Sequence, residues 1–135
     1  MDITNRVAVV TGAASGIGRE VTLQLAQRGA KAVAMVDMTE AVAEAAAEVN
    51  DKAGRKVAFA YQGNATDEGF RTSVFDQMDE QFGLTSICIP AAGITRDDLA
   101  LRLDKNTGKL RVYPVETFRL VVEVNLIAPV YWALE

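Results

Sequence analysis

The sequence predicts an α/β fold in which a doubly wound parallel sheet carries helices on both faces. Three observations predict it. Short β-branched apolar runs alternate three times over with longer segments of helical period, the rhythm of strand–helix–strand units. The first run, RVAVV, is continuously apolar rather than alternating, the pattern of a strand covered on both faces. It leads straight into VTGAASGIG, in which three residues of nine are glycine. Right-handed crossovers then make the doubly wound arrangement the expected topology.

Each element has its own reason. RVAVV (6–10) is the first strand. GIGREVTLQLAQRGA (16–30) is helical, with Ile17, Val21 and Leu25 on one face and Gly29 where a C-terminal cap belongs. AVAMVD (32–37) is the second strand, and TEAVAEAAAEVNDKAG (39–54) the second helix, with Thr39 as N-cap and an Ala-rich stripe. KVAFAY (56–61) is the third strand. TDEGFRTSVFDQMDEQFG (66–83) is the third helix, with Phe70, Val74, Met78 and Phe82 on or near one stripe. TSICIP (85–90) is the fourth strand. The segment 94–114, ITRDDLALRLDKNTGKLRVYP, is the one long irregular piece. Its length suits a lid or binding loop, or equally a solvated connection carrying a short helix. From Val115 the period is helical again, with Phe118, Val121 or Val122, and Leu126 on one side.

Composition narrows the function. A chain of 135 residues holds one small domain, and its apolar and charged fractions are ordinary for a soluble globular protein. The net charge of −4 and pI near 4.9 argue against a nucleic-acid or anionic-membrane surface. The single cysteine, Cys88, lies between Ile87 and Ile89 and reads as a buried strand thiol. There is no histidine, so His-based metal sites, Ser-His-Asp triads and Cys-His pairs are excluded within these residues, and no metal site is expected. The start has no signal-peptide core, and no apolar run reaches the roughly 18 residues of a membrane span. A cytoplasmic protein without a membrane or nucleic-acid partner is expected.

The glycine-rich turn has a chemical reading. Between a strand and a helix it aims backbone N–H groups and the helix N-terminal dipole at one point, which suits a pyrophosphate. Gly12 lets the chain turn, Gly16 admits the ligand, and Gly18 lets helix pack on strand. Nineteen residues after Gly18, Asp37 ends the second strand, where a carboxylate accepts from the ribose hydroxyls of an adenosine and repels a 2′-phosphate.

TGAASGIG resembles the TGxxxGxG fingerprint of the short-chain dehydrogenase/reductase family, and other segments follow in the family's order. GNATD (63–67) is similar to its adenine-contacting segment, AAGIT (91–95) to its N-N-A-G segment, and VVEVNLIAP (121–129) to the helix carrying its catalytic asparagine. The resemblance implies a Rossmann-like domain of which residues 1–135 are the N-terminal part, four strands and their helices. It implies an NAD(P)-dependent oxidoreductase moving hydride between nicotinamide and a carbonyl or alcohol. Cofactor contacts carry over to Gly12, Ala14, Ser15, Gly16, Ile17, Gly18, Asp37, Met38, Asn64, Ala65, Ala92 and Gly93. Asn125 carries over as the catalytic accessory that supports a water in the proton relay; the alternative for it is a polar residue bonding within a helix kink near Pro129.

Three departures stand out. Asn64 replaces an Asp, and its side-chain oxygen still suits the adenine amino group. Pro90-Ala91 replaces the asparagine pair, removing a side-chain tie and a backbone donor. The family's Ser and Tyr-x-x-x-Lys are absent: Tyr61, Tyr113 and Tyr131 have no Lys four positions on. The last helix stops in mid-pattern with Val130, Tyr131, Trp132 and Leu134 and no cap. A chain cut from something longer is therefore expected, inactive by itself.

Asp37, with no basic residue at Ala14 or Ser15, implies NAD over NADP. AAGITRDDL is similar to the NAGITRD stretch of 3-oxoacyl-[acyl-carrier-protein] reductases, which implies a small carbonyl or 3-oxoacyl thioester substrate. The family habit implies a homo-dimer or tetramer through the helix from Val115. Two other readings stay open. One is an adenosylmethionine-dependent methyltransferase, which shares a glycine loop and an acidic second-strand end. The other is a non-catalytic nucleotide-binding or regulatory module.

Overall fold

The computed structural model describes residues 2–135. In chain order the elements are β1 (Val7–Thr11), α1 (Gly16–Gln27), β2 (Ala32–Asp37), α2 (Ala41–Ala53), β3 (Ala58–Gln62), α3 (Glu68–Phe82), β4 (Thr85–Pro90), β5 (Leu101–Leu103), β6 (Leu110–Val112), α4 (Val115–Val122) and α5 (Ala128–Leu134), with a π-helical turn, Glu123–Ile127, joining the last two. The first four strands form one sheet in the order β3-β2-β1-β4. All of its pairings are parallel.

Residues Val7 to Val10 are fully apolar because β1 is central and both of its faces are covered. Successive side chains of a strand point to opposite faces. Ala8 and Val10 enter one core with Leu25 and Ala26 of α1, Val33 and Met35 of β2, and Val42, Ala45, Ala46 and Val49 of α2. Val7 and Val9 enter the other with Ala32, Ala34 and Val36, Val74, Phe75 and Met78 of α3, and Ala128 and Trp132 of α5. Each fully buried Val or Met contributes about 1.5–3 kcal/mol. On α3 the expected stripe holds, with Val74 and Met78 buried and Phe70 and Phe82 packed at its margins.

The second core is closed by α5. Trp132 is 1% exposed, and its indole Nε1 donates to the Ala65 carbonyl at 2.8 Å. Arg71 Nε donates to Glu135 Oε2 at 2.8 Å, and the Thr72 hydroxyl to Glu135 Oε1 at 2.7 Å.

Several local expectations are corrected. Ile17 does not join the α1 core: it is 78% exposed, because the first turn of α1 overhangs the end of the sheet. Thr39 does not cap α2. Its N–H and hydroxyl both donate to Asp37 Oδ1 at 3.0 Å, and the capping position falls to Glu40. The 94–114 segment carries no helix but an antiparallel hairpin, β5 with β6. Leu101, Leu103, Leu110 and Val112 alternate with the cross-strand pair Arg102 and Arg111, both bound to Asp98. The backbone of Leu99 and the Arg111 guanidinium hold the Asp98 carboxyl below its ordinary pKa. Phe118 and Leu126 lie exposed. Val115–Leu134, 20 residues, is long and apolar enough by composition to cross a membrane, against the expectation from apolar runs alone. The π turn keeps the helical path continuous, and Ala128 and Trp132 seat its end in the domain core.

Candidate functional site

The cleft lies at the carboxyl ends of β1, β2 and β4, where the strand order reverses direction, the position at which open α/β sheets bind ligands. Two grooves meet there. One, of about 200 Å³, is lined by Gly12, Val36, Asp37, Met38, Asn64, Ala65, Ala92, Gly93, Ile94 and Val124. The other runs over Gly12, Ser15, Gly16, Ile17, Gly18, Asp37, Ala91 and Gly93. Gly12, Asp37 and Gly93 belong to both, so the two form one continuous trough.

Glycine is required at the turn for two separate reasons. Gly12 has φ +65°, and a Cβ there would stand 2.8 Å from the Ala91 carbonyl oxygen and the Ala92 backbone. A Cβ on Gly18 would overlap the Gly12 carbonyl. The loop is therefore pressed between β4 and α1, while the space above Gly16 is open to at least 4 Å. This cradle has the shape a pyrophosphate needs at the N-terminus of α1.

Asp37 ties the loop to β2. Its Oδ2 accepts the Ala14 N–H at 3.0 Å, and its Oδ1 accepts from Thr39. The Ala13 N–H is donated to Val36 O at 3.1 Å. The carboxylate is thereby held at the trough wall with lone pairs remaining for hydroxyl donors. No Lys or Arg lines the trough among the described residues.

Thr11 and Asn125 fix the opposite wall. Thr11 is 1% exposed, and its hydroxyl accepts the Ala92 N–H at 3.1 Å. This bond keeps β1 and the end of β4 together where Pro90 offers no N–H. Asn125 sits in the π turn. Pro129 has no N–H for the Asn125 carbonyl four residues back, and the helix widens there. The Asn125 side chain does not bond within its own helix. Its Oδ1 accepts the Ile94 N–H and its Nδ2 donates to the Ile94 carbonyl, both at 2.8 Å.

Eleven sequence-assigned cofactor positions line the trough; Ala14 reaches it only through its bond to Asp37. Asn125 stands behind the wall, acting on Ile94. The Asn64 oxygen, which the sequence reading directs to an adenine amino group, is instead taken by Thr66, accepting its N–H and its hydroxyl at 3.0 Å each. Sequence reasoning missed Val36, Ala91, Ile94 and Val124 in the walls, and Thr11 as the strand tie. The Thr preceding Gly12 in the fingerprint is the one signal that could have found Thr11. Cys88 is a half-buried strand thiol away from the trough. It donates to the Trp132 carbonyl at 3.2 Å, and burial pushes its pKa up to about 11.

Comparison with known proteins agrees with this geometry. The family described as short chain dehydrogenase matches residues 6–134. The 3-oxoacyl-[acyl-carrier-protein] reductase FabG of Escherichia coli (strain K12) is 35% identical over 103 residues, 76% of this chain and 40% of that protein. An NAD+-bound xylitol dehydrogenase structure is similar with a TM-score of 0.76 at 27% identity, covering 98% of this chain and 47% of the other. The structure of L-sorbose reductase from Gluconobacter frateurii, complexed with NADPH and L-sorbose, has a TM-score of 0.79 at 23% identity, with the same coverage. At that identity it shows a shared fold. The chain thus spans 40% of the curated relative's length and about half of the structural neighbours' length.

Proposed function

The chain belongs to the short chain dehydrogenase family, and on that premise we propose that it is the dinucleotide-binding part of an NAD(P)-dependent oxidoreductase. The observation that carries this reading is the single trough in which the Gly12–Gly18 loop, Asp37 and the Ala92–Gly93 segment meet. When bound, the nicotinamide group supplies hydride to a carbonyl carbon or takes it from an alcohol. The protein's own part is binding and orientation. The loop and the first turn of α1 receive the pyrophosphate. Asp37 accepts from the adenosine ribose, with Met38, Asn64 and Ala65 around the base. Ala92 and Gly93 admit the nicotinamide half closely. Asn125 holds Ile94 and, as the proposed accessory, supports a water of the proton relay.

NAD is the preferred cofactor in this reading. A 2′-phosphate would face the Asp37 carboxylate, and among the described residues no Lys or Arg lines the trough to offset that. Fluorescence titration with NADH and NADPH tests it. Tighter NADPH binding refutes the preference, and failure of both to bind refutes the dinucleotide reading. D37A should bring the two affinities together.

The proposed substrate is a small carbonyl compound, a 3-oxoacyl thioester foremost. Support comes from the AAGITRDDL stretch and from the 35% identity to a 3-oxoacyl-[acyl-carrier-protein] reductase. The proposed whole protein is a cytoplasmic homo-oligomer, joined through the exposed apolar side of the helix from Val115. An assay of NADH oxidation with acetoacetyl thioesters decides the substrate.

A further inference from the structure

The loop after β3, residues 63–67, forms one wall of the trough, with Asn64 and Ala65 in its lining. Most of its hydrogen bonds are local. The Gly63 N–H donates to the Asp37 carbonyl and the Asp67 N–H to that of Asn64. Asn64 Oδ1 accepts from Thr66, and Asp67 Oδ1 from the Phe70 N–H in the first turn of α3. One bond is of another kind. The Ala65 carbonyl accepts the indole N–H of Trp132, 67 residues further along the chain in α5, at 2.8 Å. Among the described residues it is the one hydrogen bond that joins this loop to α5.

The donor is firmly placed. Trp132 is buried, and its ring packs on Phe75 of α3 with centroids 5.7 Å apart. Its own carbonyl accepts from the Cys88 thiol of β4 at 3.2 Å, and Glu135 beyond it is held by Arg71 and Thr72. Filling the core asks only for a large apolar side chain. A buried indole N–H asks for an acceptor as well, and here the acceptor is a carbonyl of the trough wall. Seven residues earlier, about 10 Å along the same helix, Asn125 holds Ile94 of the opposite wall through both ends of its amide. One continuous helical segment therefore grips both walls, and its Val124 lines the trough itself.

We propose that Trp132 is a positioning residue for the nucleotide: its N–H sets where the Asn64–Ala65 wall stands, and the segment from Glu123 to Leu134 thereby fixes the separation of the two walls. The inference rests on the dinucleotide reading and adds to it a residue that touches no ligand. Without the indole N–H the wall is free to retreat. Only molecules with the wall in place then bind, and the apparent affinity falls by their fraction.

The test compares dissociation constants for NADH, by nicotinamide fluorescence, and for ADP-ribose, by calorimetry. W132F keeps a large aromatic ring but no donor. Because Trp132 is the sole tryptophan, benzothienylalanine can be incorporated in its place, which exchanges the N–H for sulfur at nearly unchanged shape and so retains the fold even where W132F loosens it. V7A opens the same core at the end of β1 away from the trough. The first two proteins should bind both ligands about two- to tenfold more weakly than the wild type, the equivalent of one neutral hydrogen bond. V7A should lower the urea midpoint, followed by circular dichroism, yet bind both ligands as the wild type does. Unchanged dissociation constants in the benzothienylalanine protein overturn the inference. So does V7A binding weakened as far as theirs, which would make the effect one of core loosening. If the wild type binds neither ligand, the dinucleotide reading has failed and this inference falls with it.

Discussion

Replacing Gly18 by Ala probes the junction on which the trough is built. Gly18 is buried in the first turn of α1. A Cβ added there would lie 2.8 Å from the Gly12 carbonyl carbon and 3.1 Å from Ala13 Cα. Carbon atoms pack at about 3.5–4.0 Å, so the loop must retreat by about 0.7 Å or more. The obstructing atoms are backbone, and they are tied down by Ala13 N to Val36 O and Ala14 N to Asp37 Oδ2. Overpacking costs about 1–3 kcal/mol, and with so little room to relax the upper half of that range applies. Ala returns up to about 1 kcal/mol over Gly within a helix. The net expectation is a loss of about 1–2 kcal/mol, or roughly 3–8 °C in Tm for a chain of this size. Urea unfolding followed by the fluorescence of Trp132, the sole tryptophan and a buried one, measures it. G18A as stable as the wild type, or more so, would show that helix propensity outweighs the contact and that loop and helix are not packed as described.

Three further outcomes are expected. T11V leaves the Ala92 N–H without its acceptor and should cost about 1–3 kcal/mol, most of it recovered in T11S; equal urea midpoints for the two variants would contradict the strand tie. Cys88, with its pKa near 11, should react with a disulfide reagent at pH 8 on the order of 100-fold more slowly than a free thiol. Its rate should climb with pH until about 11, and a free-thiol rate in native protein refutes this. Arg71, and then Thr72, hold the Glu135 carboxyl below its ordinary range. A carboxylate whose folded pKa is depressed stabilises above its unfolded pKa and loses that contribution as pH falls through the folded one. E135Q should therefore lower the urea midpoint at pH 7. The gap to wild type should close on acidification below about pH 4, and a gap constant with pH would exclude the ion pair as its cause.

Much of the fold was legible because burial leaves two plain patterns in it. Val7 to Val10 and Ala32 to Val36 are continuous apolar runs, as strands covered on both faces require, and the stripe of α3 follows the helical period. The glycine loop and Asp37 were legible for a different reason, namely that close backbone approach leaves a residue-type signature at fixed spacing. Thr39 suits a helix cap by residue type, but in the fold its N–H and hydroxyl donate to the Asp37 carboxylate two residues back, and the capping position falls one residue on, to Glu40. The 94–114 segment had the alternation Leu-Arg-Leu and Leu-Arg-Val around a Gly-bearing turn, yet a short hairpin is marginal by itself. Only the Asp98 fork between Arg102 and Arg111 shows how its polar face is closed.

By itself, then, the sequence determined the strand and helix order, the two-sided burial of β1 and the phosphate-facing turn, since these follow from residue type and near neighbours. Tertiary structure alone decided that Thr11 holds Ala92 and that Asn125 reaches out of its helix to Ile94. Those bonds form between groups that only folding brings together, 81 and 31 residues apart, and no spacing along the chain encodes them.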